Sequence, residues 1–347
     1  MRIAIVNDLA LAVEALRRAV RSIPGAEVAW VARDGAEAIA QCARDRPDLV
    51  LMDLIMPVVD GVAATREIMR RSPCPVLVVT ASVHGNVAKV YEALGHGALD
   101  AVATPRLGLG GGLEGAAELV RKIATVRALA DEPSASPADA VTVAPAAGSD
   151  AASGPLSPLV AIGASTGGPR ALATLLGNLP RDLPAAVAVV QHIDAAFATG
   201  LAHWLARRTP LSVAPLLAPQ ALRAGHVWLA AGSGHLVLRD DLRLALATEP
   251  TDCLHSPSID VFFDSIARRL PGGGCGVLLT GMGRDGARGL LALRAAGFHT
   301  IAQDEATSVV WGMPRAAAER GAAGEVLPLD RIAARVIAHI AKLAAAR

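Results

Sequence analysis

The feature that most constrains this chain is a low-complexity segment, residues 129–157, that divides it into two parts. The segment reads LADEPSASPADAVTVAPAAGSDAASGPLS, is dense in Pro, Ala, Ser and Gly, and has no sustained helical or strand period. Sequence of this kind cannot bury enough apolar surface to offset the entropy lost on ordering it. We therefore predict a flexible linker over 129–157 between an N-terminal domain, 1–128, and a C-terminal domain, 158–347.

The N-terminal part alternates short β-rich runs with helical stretches. The strand candidates are RIAIV, EVAWVA, DLVLMD, PVLVVT and LDAVAT. Apolar residues recur at helical spacing at Leu9, Val13, Leu16 and Val20, and further helices are predicted to begin near Gly35, Gly61 and Gly85. This repetition predicts an α/β domain with a parallel sheet covered on both faces and a ligand site at the carboxyl ends of its strands.

The C-terminal part repeats this alternation. Buried strands are predicted at PLVAIGA, AAVAVVQ, CGVLLTG and HTIAQD, most of them followed by a turn and a helix. Between the second and the third, HVWLAAGSGHLVLRDDLRLAL is predicted to form a β-hairpin insert. We expect a doubly wound α/β domain that carries this insert.

Composition excludes several classes of partner. Lys and Arg number 33 against 32 Asp and Glu, so the chain lacks the basic excess of a nucleic-acid or anionic-membrane binder. The sequence contains no apolar run of the ~20 residues that span a bilayer. Its four cysteines are scattered without a C-x-x-C pair and indicate neither a zinc site nor a disulfide framework. We predict a cytoplasmic protein that neither binds nucleic acid nor inserts into a membrane.

Two aspartates mark the first candidate site. Asp8 lies where the first predicted strand ends, and Asp53 ends the third. If both strands are central and parallel, their carboxylates meet at one sheet edge, where Mg2+ would offset their repulsion and assist phosphoryl transfer to a carboxylate. Each aspartate alone could equally cap the turn or helix that follows it.

The residues around Asp53 extend this interpretation. DLVLMDLIMPVVDG, followed by VLVVTAS, resembles the receiver domain of two-component response regulators, and the resemblance covers about 1–128. It implies a flavodoxin-like fold for this domain, with Asp53 as the phosphoacceptor and Thr80 as the residue that senses the phosphoryl group. The same resemblance assigns Mg2+ to Asp8, Asp53 and the backbone carbonyl of Ile55.

The chain departs from the receiver pattern at several positions. Asn7 stands where receivers usually carry another acidic residue, so one negative charge is missing from the metal pocket. Thr104 precedes Pro105 in place of the usual lysine, and Ala101 replaces the usual aromatic residue. Loss of the lysine removes a charge-assisted contact to the phosphoryl oxygens. We therefore expect phosphorylation with an altered coupling to output.

A serine in a glycine-rich turn marks the second candidate site. Ser165 follows an apolar strand in LVAIGASTGGPRAL and satisfies G-x-S-x-G, the pattern of a nucleophile on a sharp strand-to-helix turn. The same serine could instead cap the following helix. A phosphate-binding loop is less favoured, because the segment has neither the Walker lysine nor the G-x-G-x-x-G spacing. A nucleophile needs a base and an orienting acid. His192 and Asp285, both near predicted strand ends, could meet Ser165 at one sheet edge.

Several motifs of the C-terminal part together resemble the chemotaxis-type protein-glutamate methylesterase family. They are GASTGGP, QH, HSPSIDVFFDSIA, LLTGMGRDGARGL and AQDEATSVVWGMP, and the resemblance runs from about Leu159 to the C-terminus. It implies that Ser165 is the nucleophile, His192 the base and Asp285 the acid that orients the base.

The family resemblance also implies further site residues. Thr166 and the backbone N–H of Met282 would stabilise the oxyanion. His255 would be a substrate-side residue, although HSPS could equally form a capped turn.

The same resemblance implies an activity and partners. The expected reaction is hydrolysis of glutamyl methyl esters on the cytoplasmic domain of a methylated chemoreceptor, and the same chemistry on glutamine would be deamidation. A chemosensory histidine kinase would be the phosphodonor, with Mg2+ needed in the receiver and no cofactor for ester hydrolysis. The alternative is a phosphorylation-controlled receptor-binding adaptor with an inactive esterase fold. VNDLALAVEALRRAV and the Thr-Pro in place of Lys-Pro resemble the Wsp-type branch of the family.

Overall fold

The computed structural model describes residues 1–81, 87–108, 112–131, 157–253 and 255–346. The chain divides into two compact units, Met1–Ser136 and Pro137–Arg347. The division falls within the predicted linker, of which residues 132–156 lie outside the described residues. The linker and the exact domain bounds therefore stay predictions.

The N-terminal unit is a five-stranded parallel sheet with helices between the strands. Its elements are β1 (Arg2–Val6), α1 (Ala10–Arg21), β2 (Glu27–Ala32), α2 (Gly35–Arg44), β3 (Leu49–Met52), α3 (Gly61–Arg71), β4 (Val76–Thr80), α4 (Val87–Gly95), β5 (Asp100–Ala103), β6 (Arg106–Leu107), β7 (Leu113–Glu114) and α5 (Ala116–Asp131). The sheet order β2-β1-β3-β4-β5 is flavodoxin-like, which confirms the predicted fold. Gly85, where the fourth helix was expected to begin, lies outside the described residues.

Sequence features explain where these elements begin. The strands β1, β3 and β4 are almost wholly buried, as expected for a parallel sheet covered on both faces. Asp34 caps α2 by accepting hydrogen bonds from two backbone N–H groups, and Asp60 caps α3 in the same way through one. Asp53 immediately follows β3, so its carboxylate lies at the carboxyl edge of the sheet.

The C-terminal unit contains a seven-stranded sheet in which every strand pair is parallel. Its elements are β8 (Leu159–Ala164), α6 (Gly168–Gly177), β9 (Ala186–Gln191), α7 (Ala195–Ala206), β10 (Ser212–Leu216), β11 (Gln220–Ala221), β12 (His226–Ala230), β13 (His235–Leu238), β14 (Arg243–Ala247), α8 (Ile259–Arg269), β15 (Gly274–Leu278), α9 (Ala287–Ala295), β16 (His299–Gln303), α10 (Met313–Glu319), β17 (Glu325–Leu327) and α11 (Leu329–Ala345). The order is β10-β12-β9-β8-β15-β16-β17, which confirms the doubly wound α/β fold.

The predicted hairpin insert is right in its second part and wrong in its first. β13 and β14 form an antiparallel hairpin, and β11 extends it to a three-stranded sheet. The HVWLA segment is instead β12, which pairs in parallel with β10 and β9 inside the main sheet. All but the first residue of β12 are buried, as expected for an interior strand.

The topology brings the site residues to one edge. β8 lies at the centre of the main sheet between β9 and β15, and the strand order reverses direction around it. Ligands of doubly wound sheets bind outside the carboxyl ends of the strands at such a reversal. Ser165 and His192 directly follow β8 and β9, so both lie at that point. Within the described residues, no helix has the length and apolar character needed to span a membrane.

Candidate functional site

Ser165 lies in a tightly held turn between β8 and α6. Its N–H donates to the carbonyl of Thr280 (3.0 Å), and its carbonyl accepts from the N–H of Gly168 (2.7 Å). Gly167 has φ of +77°, a left-handed conformation that favours glycine. A Cβ added to Gly281 would lie 2.7 Å from the Cβ of Ser165, so the two turns pack directly against each other.

The turns around Ser165 offer backbone donors to an oxyanion. Neither Thr166 nor Met282 donates its N–H to any described residue. The hydroxyl of Thr280 fixes the first turn by donating to the carbonyl of Thr166 (3.0 Å). These N–H groups are therefore available for a charge that forms next to the serine.

His192 makes one side-chain hydrogen bond and keeps the other ring nitrogen free. Its Nε2 lies 2.8 Å from Oδ2 of Asp285. Its Nδ1 is buried without a hydrogen-bond partner among the described residues. Since a carboxylate accepts, Nε2 is assigned the proton, which leaves Nδ1 as the basic nitrogen. The Oγ of Ser165 is not hydrogen-bonded to His192 within the described part of the chain, which is common before substrate binds.

Asp285 accepts hydrogen bonds from the amino end of α8 as well as from His192. Its donors are the hydroxyl of Ser258 (2.9 Å), the N–H of Ile259 (2.7 Å) and the N–H of Asp260 (3.1 Å). Burial raises the pKa of Asp285. The hydrogen bond from His192, the positive charge of that ring when it is protonated, and the two N–H groups lower the pKa more, leaving it well below its usual range. Asp285 is therefore an ionised carboxylate held by several donors.

His255 lies against the candidate base. Its ring stacks on that of His192, with centroids 4.4 Å apart and planes at 19°. The capped turn considered for HSPS is also present, because the hydroxyl of Ser258 accepts from the N–H of Val261 (3.3 Å) at the start of α8. The structure thus brings together Ser165, His192, Asp285 and His255 at one sheet edge.

The N-terminal unit holds a second polar pocket. Asp53 is 7% exposed and accepts from the N–H of Leu54 (2.7 Å) and from the amide of Asn7 (3.1 Å). Burial raises the pKa of Asp53 to about 6, the nearby Asp8 carboxylate adds to this, and the N–H groups of Leu54 and Ile55 partly offset it. The protein therefore compensates the negative charge of Asp53 and Asp8 only in part.

The residues predicted to hold Mg2+ and to sense the phosphoryl group lie at or just after the carboxyl ends of β1, β3 and β4. Asp8 is exposed next to Asn7, and Thr80 is buried at the end of β4. In the described part of the chain, no group of three or more His, Cys, Asp or Glu side chains could hold a metal ion. The predicted Mg2+ set has only two carboxylates and would need the carbonyl of Ile55. Two carboxylates and a carbonyl are hard oxygen ligands, so the set fits Mg2+.

The positions that depart from the receiver pattern have defined surroundings. Thr104 donates its N–H to the carbonyl of Thr80 (3.0 Å), and its hydroxyl is buried without a partner among the described residues. The buried Lys122 of α5 pairs with Asp100 (2.7 Å) and donates to the carbonyl of Ala101 (3.0 Å).

Two further residues contact the candidate site and are not predicted from the sequence. Ser258 holds Asp285 through its hydroxyl, as described above. Gln191 is 2% exposed, and its amide donates to the carbonyls of Ser165 (2.8 Å) and His192 (3.1 Å). Both lie inside motifs that resemble the family, HSPS and QH, but a serine or glutamine gives no sign there of what it contacts.

The chain matches two family models. The model of the CheB methylesterase matches residues 160–336, and that of the response regulator receiver domain matches residues 3–106. These matches agree with the two α/β units.

Similar proteins extend over nearly the whole chain. Protein-glutamate methylesterase/protein-glutamine glutaminase 4 of Burkholderia thailandensis is 53% identical over 98% of both chains. The protein-glutamate methylesterase/protein-glutamine glutaminase of group 3 operon of Pseudomonas putida is 51% identical over 99% of this chain and all of the relative. The crystal structure of the Thermotoga maritima CheB methylesterase catalytic domain is 35% identical and has a TM-score of 0.50, covering 52% of this chain and 97% of that one.

The fold defines a two-domain α/β protein that joins a receiver domain to a doubly wound catalytic domain. The chain belongs to the CheB methylesterase family. It is an enzyme with an N-terminal response regulator receiver.

Proposed function

We propose that the C-terminal domain hydrolyses glutamyl methyl esters on a chemoreceptor, with Ser165 as nucleophile, His192 as base and Asp285 as orienting acid. The observation that carries the proposal is the bond between Nε2 of His192 and an ionised, buried Asp285, which leaves Nδ1 as a base at the sheet edge that holds Ser165. The names of the relatives, protein-glutamate methylesterase/protein-glutamine glutaminase, support the substrate class.

The mechanism follows from these positions. Nδ1 of His192 takes the hydroxyl proton of Ser165, and Oγ attacks the ester carbonyl. The N–H groups of Thr166 and Met282 stabilise the oxyanion, because both are free of partners among the described residues. The proton then passes from Nδ1 to the leaving methanol. Water activated by the same nitrogen cleaves the acyl-enzyme and leaves glutamate on the receptor.

Two neighbouring activities use the same residues. With a glutamine side chain the leaving group would be ammonia, so deamidation needs no further catalytic residue. We infer that His255 is a substrate-side residue, which its stacking on His192 supports.

The adaptor alternative, a receptor-binding module with an inactive esterase fold, is not favoured. A pure adaptor has no use for a histidine bonded at 2.8 Å to an ionised aspartate beside a serine with free backbone donors. Nothing in a docking role requires that Asp285 collect hydrogen bonds from α8.

The receiver supports control by phosphorylation. We infer that Asp53 is the phosphoacceptor and Thr80 the residue that senses the phosphoryl group, with Asp8, Asp53 and the carbonyl of Ile55 holding Mg2+. Bound Mg2+ would supply positive charge against the phosphoryl oxygens during transfer. The site favours a bound cation, because burial and the Asp8 carboxylate both raise the pKa of Asp53 and so disfavour its ionised form. Phosphorylation then shifts the population of the full chain toward an active arrangement.

The partners follow from this chemistry. A chemosensory histidine kinase would donate the phosphoryl group, and the cytoplasmic domain of a methylated chemoreceptor would be the substrate. Both operate in the cytoplasm, where we place the protein.

The deciding experiment measures methanol released from a methylated receptor cytoplasmic domain by full-length protein, with and without a small-molecule phosphodonor. Release that depends on Ser165 and rises with the donor is the expected result. Release without donor dependence would keep the esterase and reject the proposed control. Absence of serine-dependent release from a receptor confirmed as methylated would favour the adaptor.

A further inference from the structure

A buried histidine outside the proposed triad is connected to it through hydrogen bonds. His235 begins β13 of the insert sheet and is 2% exposed. Its Nδ1 accepts from the backbone N–H of Ser258 (3.0 Å), and its Nε2 lies 2.8 Å from the carbonyl of Pro250. Both ring nitrogens are therefore used inside the protein.

These two bonds fix the state of the His235 ring. A nitrogen that accepts from a backbone N–H cannot carry a proton, so Nδ1 is unprotonated and Nε2–H donates to the carbonyl. With no free nitrogen, His235 is placed neither to transfer a proton nor to bind a metal. Its contribution must be to hold Ser258 and the turn before α8.

Ser258 passes this constraint to the triad. The peptide N–H of Ser258 binds His235, while its hydroxyl donates to Oδ1 of Asp285 (2.9 Å). The other oxygen, Oδ2, accepts from Nε2 of His192. A shift of the Ser258 backbone would therefore move a donor of the carboxylate that orients the base. His255, three residues earlier in the same turn, stacks on His192 and would shift with it.

The insert sheet holds His235 firmly against α8. Leu236 and Leu238 of β13 are fully buried and belong to one apolar core with Phe262 and Ile266 of α8. The ring thus connects two elements that already pack against each other, at the end of α8 that faces Asp285.

We propose that His235 is a positioning residue for the esterase reaction, acting through Ser258 to fix Asp285 and the turn that carries His255. The proposal rests on the proposed roles of Ser165, His192 and Asp285. It gives the hairpin insert a function in catalysis beyond covering the core.

A pair of conservative variants separates the two bonds of His235. The side-chain oxygen of asparagine lies as many bonds from Cβ as Nδ1 does, so His235→Asn can keep the acceptor for Ser258. The amide nitrogen of glutamine lies as many bonds from Cβ as Nε2 does, so His235→Gln can keep only the bond to the carbonyl of Pro250. Each variant loses the ring and keeps one hydrogen bond, so we expect similar stability by thermal unfolding.

The readouts are kcat and KM for methanol release by the full chain, and the rate at which a fluorophosphonate labels Ser165. We expect His235→Gln to lower kcat and the labelling rate about ten- to a hundredfold, with little change in KM, as small misplacements of catalytic groups do. His235→Asn should exceed His235→Gln by about tenfold in both rates. His226→Gln, at the amino end of β12 and so at the opposite edge of the sheet, is the matched control without effect.

The outcomes separate this inference from the proposed function. Equal rates for His235→Asn and His235→Gln, or wild-type rates for both, would overturn it. If His235→Gln does not fold, Ser258→Gly tests the hydrogen bond from the Ser258 hydroxyl to Asp285, since glycine is tolerated at helix N-caps but lacks the hydroxyl. A wild-type kcat in Ser258→Gly would reject the connection. Labelling requires no receptor, so a wild-type chain that labels Ser165 but releases no methanol would refute the substrate and leave the His235 comparison readable.

Discussion

Asp53 and Asp285 are both largely buried carboxylates near the carboxyl edge of a parallel sheet, yet their pKa values move in opposite directions. Burial raises the pKa of Asp53 to about 6. Burial acts on Asp285 too, but His192 and the N–H groups of Ile259 and Asp260 outweigh it, and its pKa falls below the usual range. The difference lies first in the charged neighbour, because Asp285 is bonded to His192 whereas Asp53 lies near the like charge of Asp8. The N–H groups at the amino end of α8 lower the pKa of Asp285 further.

The difference shows what each site requires from outside. The carboxylate of Asp285 is compensated by donors within the protein, so the proposed base, His192, is held in place before any ligand binds. The carboxylate of Asp53 lacks that compensation, and the Asp8 charge adds to its cost. The N–H groups of Leu54 and Ile55 offset this cost only in part, so a bound cation would stabilise the ionised form further. The Asp285 site is therefore assembled before a ligand binds, whereas the Asp53 site depends on a bound cation.

The largest expected effect tests the preassembled site. Ser165→Ala removes the nucleophile from a complete arrangement, so methanol release should fall by about 10⁴-fold or more. Circular dichroism should show an unchanged fold, because the side chain makes no hydrogen bond to a described residue that the turn depends on. Ser212→Ala, an exposed serine at the start of β10, is the control. Activity of Ser165→Ala near that of the control would refute the nucleophile assignment.

The next effect tests the compensation of Asp285. Asp285→Asn keeps the size of the side chain but replaces an oxygen by a donor facing backbone N–H groups or His192. We expect kcat to fall by roughly 10³- to 10⁴-fold, because the base loses its orienting acceptor. Stability should fall as well, by about 1–3 kcal/mol, since buried donors lose their partner. A near-normal kcat in a stable Asp285→Asn would show that the carboxylate does not orient the base.

Much of the fold follows from the sequence, and its errors have physical reasons. The apolar runs identify β1, β3, β4, β8 and β9, since a parallel strand is buried on both faces. The sequence favours a hairpin for HVWLA because a true hairpin follows it closely. Its actual partners are β9, which is distant in sequence, and β10, which has no clear strand pattern. β10 contains Pro215, which weakens any strand pattern but is tolerated at the edge of the sheet.

Some residues of the candidate sites can be predicted from the sequence, and others cannot. Ser165, His192 and Asp53 follow buried strands, so the pattern of strands places them at sheet edges. Ser258, Gln191 and His235 act through contacts between segments far apart in the chain. Local sequence carries no signal for those contacts. The opposite pKa shifts of the two aspartates also depend on which N–H groups surround each carboxylate.

A smaller effect tests the dependence of the receiver on its ligand. Asp53→Asn should abolish the rise in methanol release caused by the phosphodonor while leaving release without donor in place. Couplings between sites are typically about 5- to 150-fold, so the lost stimulation should fall in that range. Asp34→Asn, which keeps a capping residue for α2, should respond to the donor like wild type. Undiminished stimulation in Asp53→Asn would place the phosphoacceptor elsewhere.

The smallest effect concerns the stability of the N-terminal domain and its pH dependence. Because the pKa of Asp53 rises from 3.8 to about 6 on folding, the folded state binds this proton more tightly, so the carboxyl favours folding only while protonated. Above about pH 6 its ionised form should cost on the order of 3 kcal/mol, which Asp53→Asn would remove.

Hydrogen exchange of the β1 and β3 amides, measured without Mg2+, reports this free energy for the N-terminal domain. Relative to wild type, Asp53→Asn should be more stable near neutral pH. The advantage should shrink as the pH falls through about 6 and vanish near 3.8, where Asp53 is protonated in both folded and unfolded chains. Asp34→Asn leaves the buried Asp53 carboxylate in place, so its stability relative to wild type should not change with pH in this way. A stabilisation that is constant with pH would mean that Asp53 is already compensated within the protein, as Asp285 is, and the contrast between the two sites would fail.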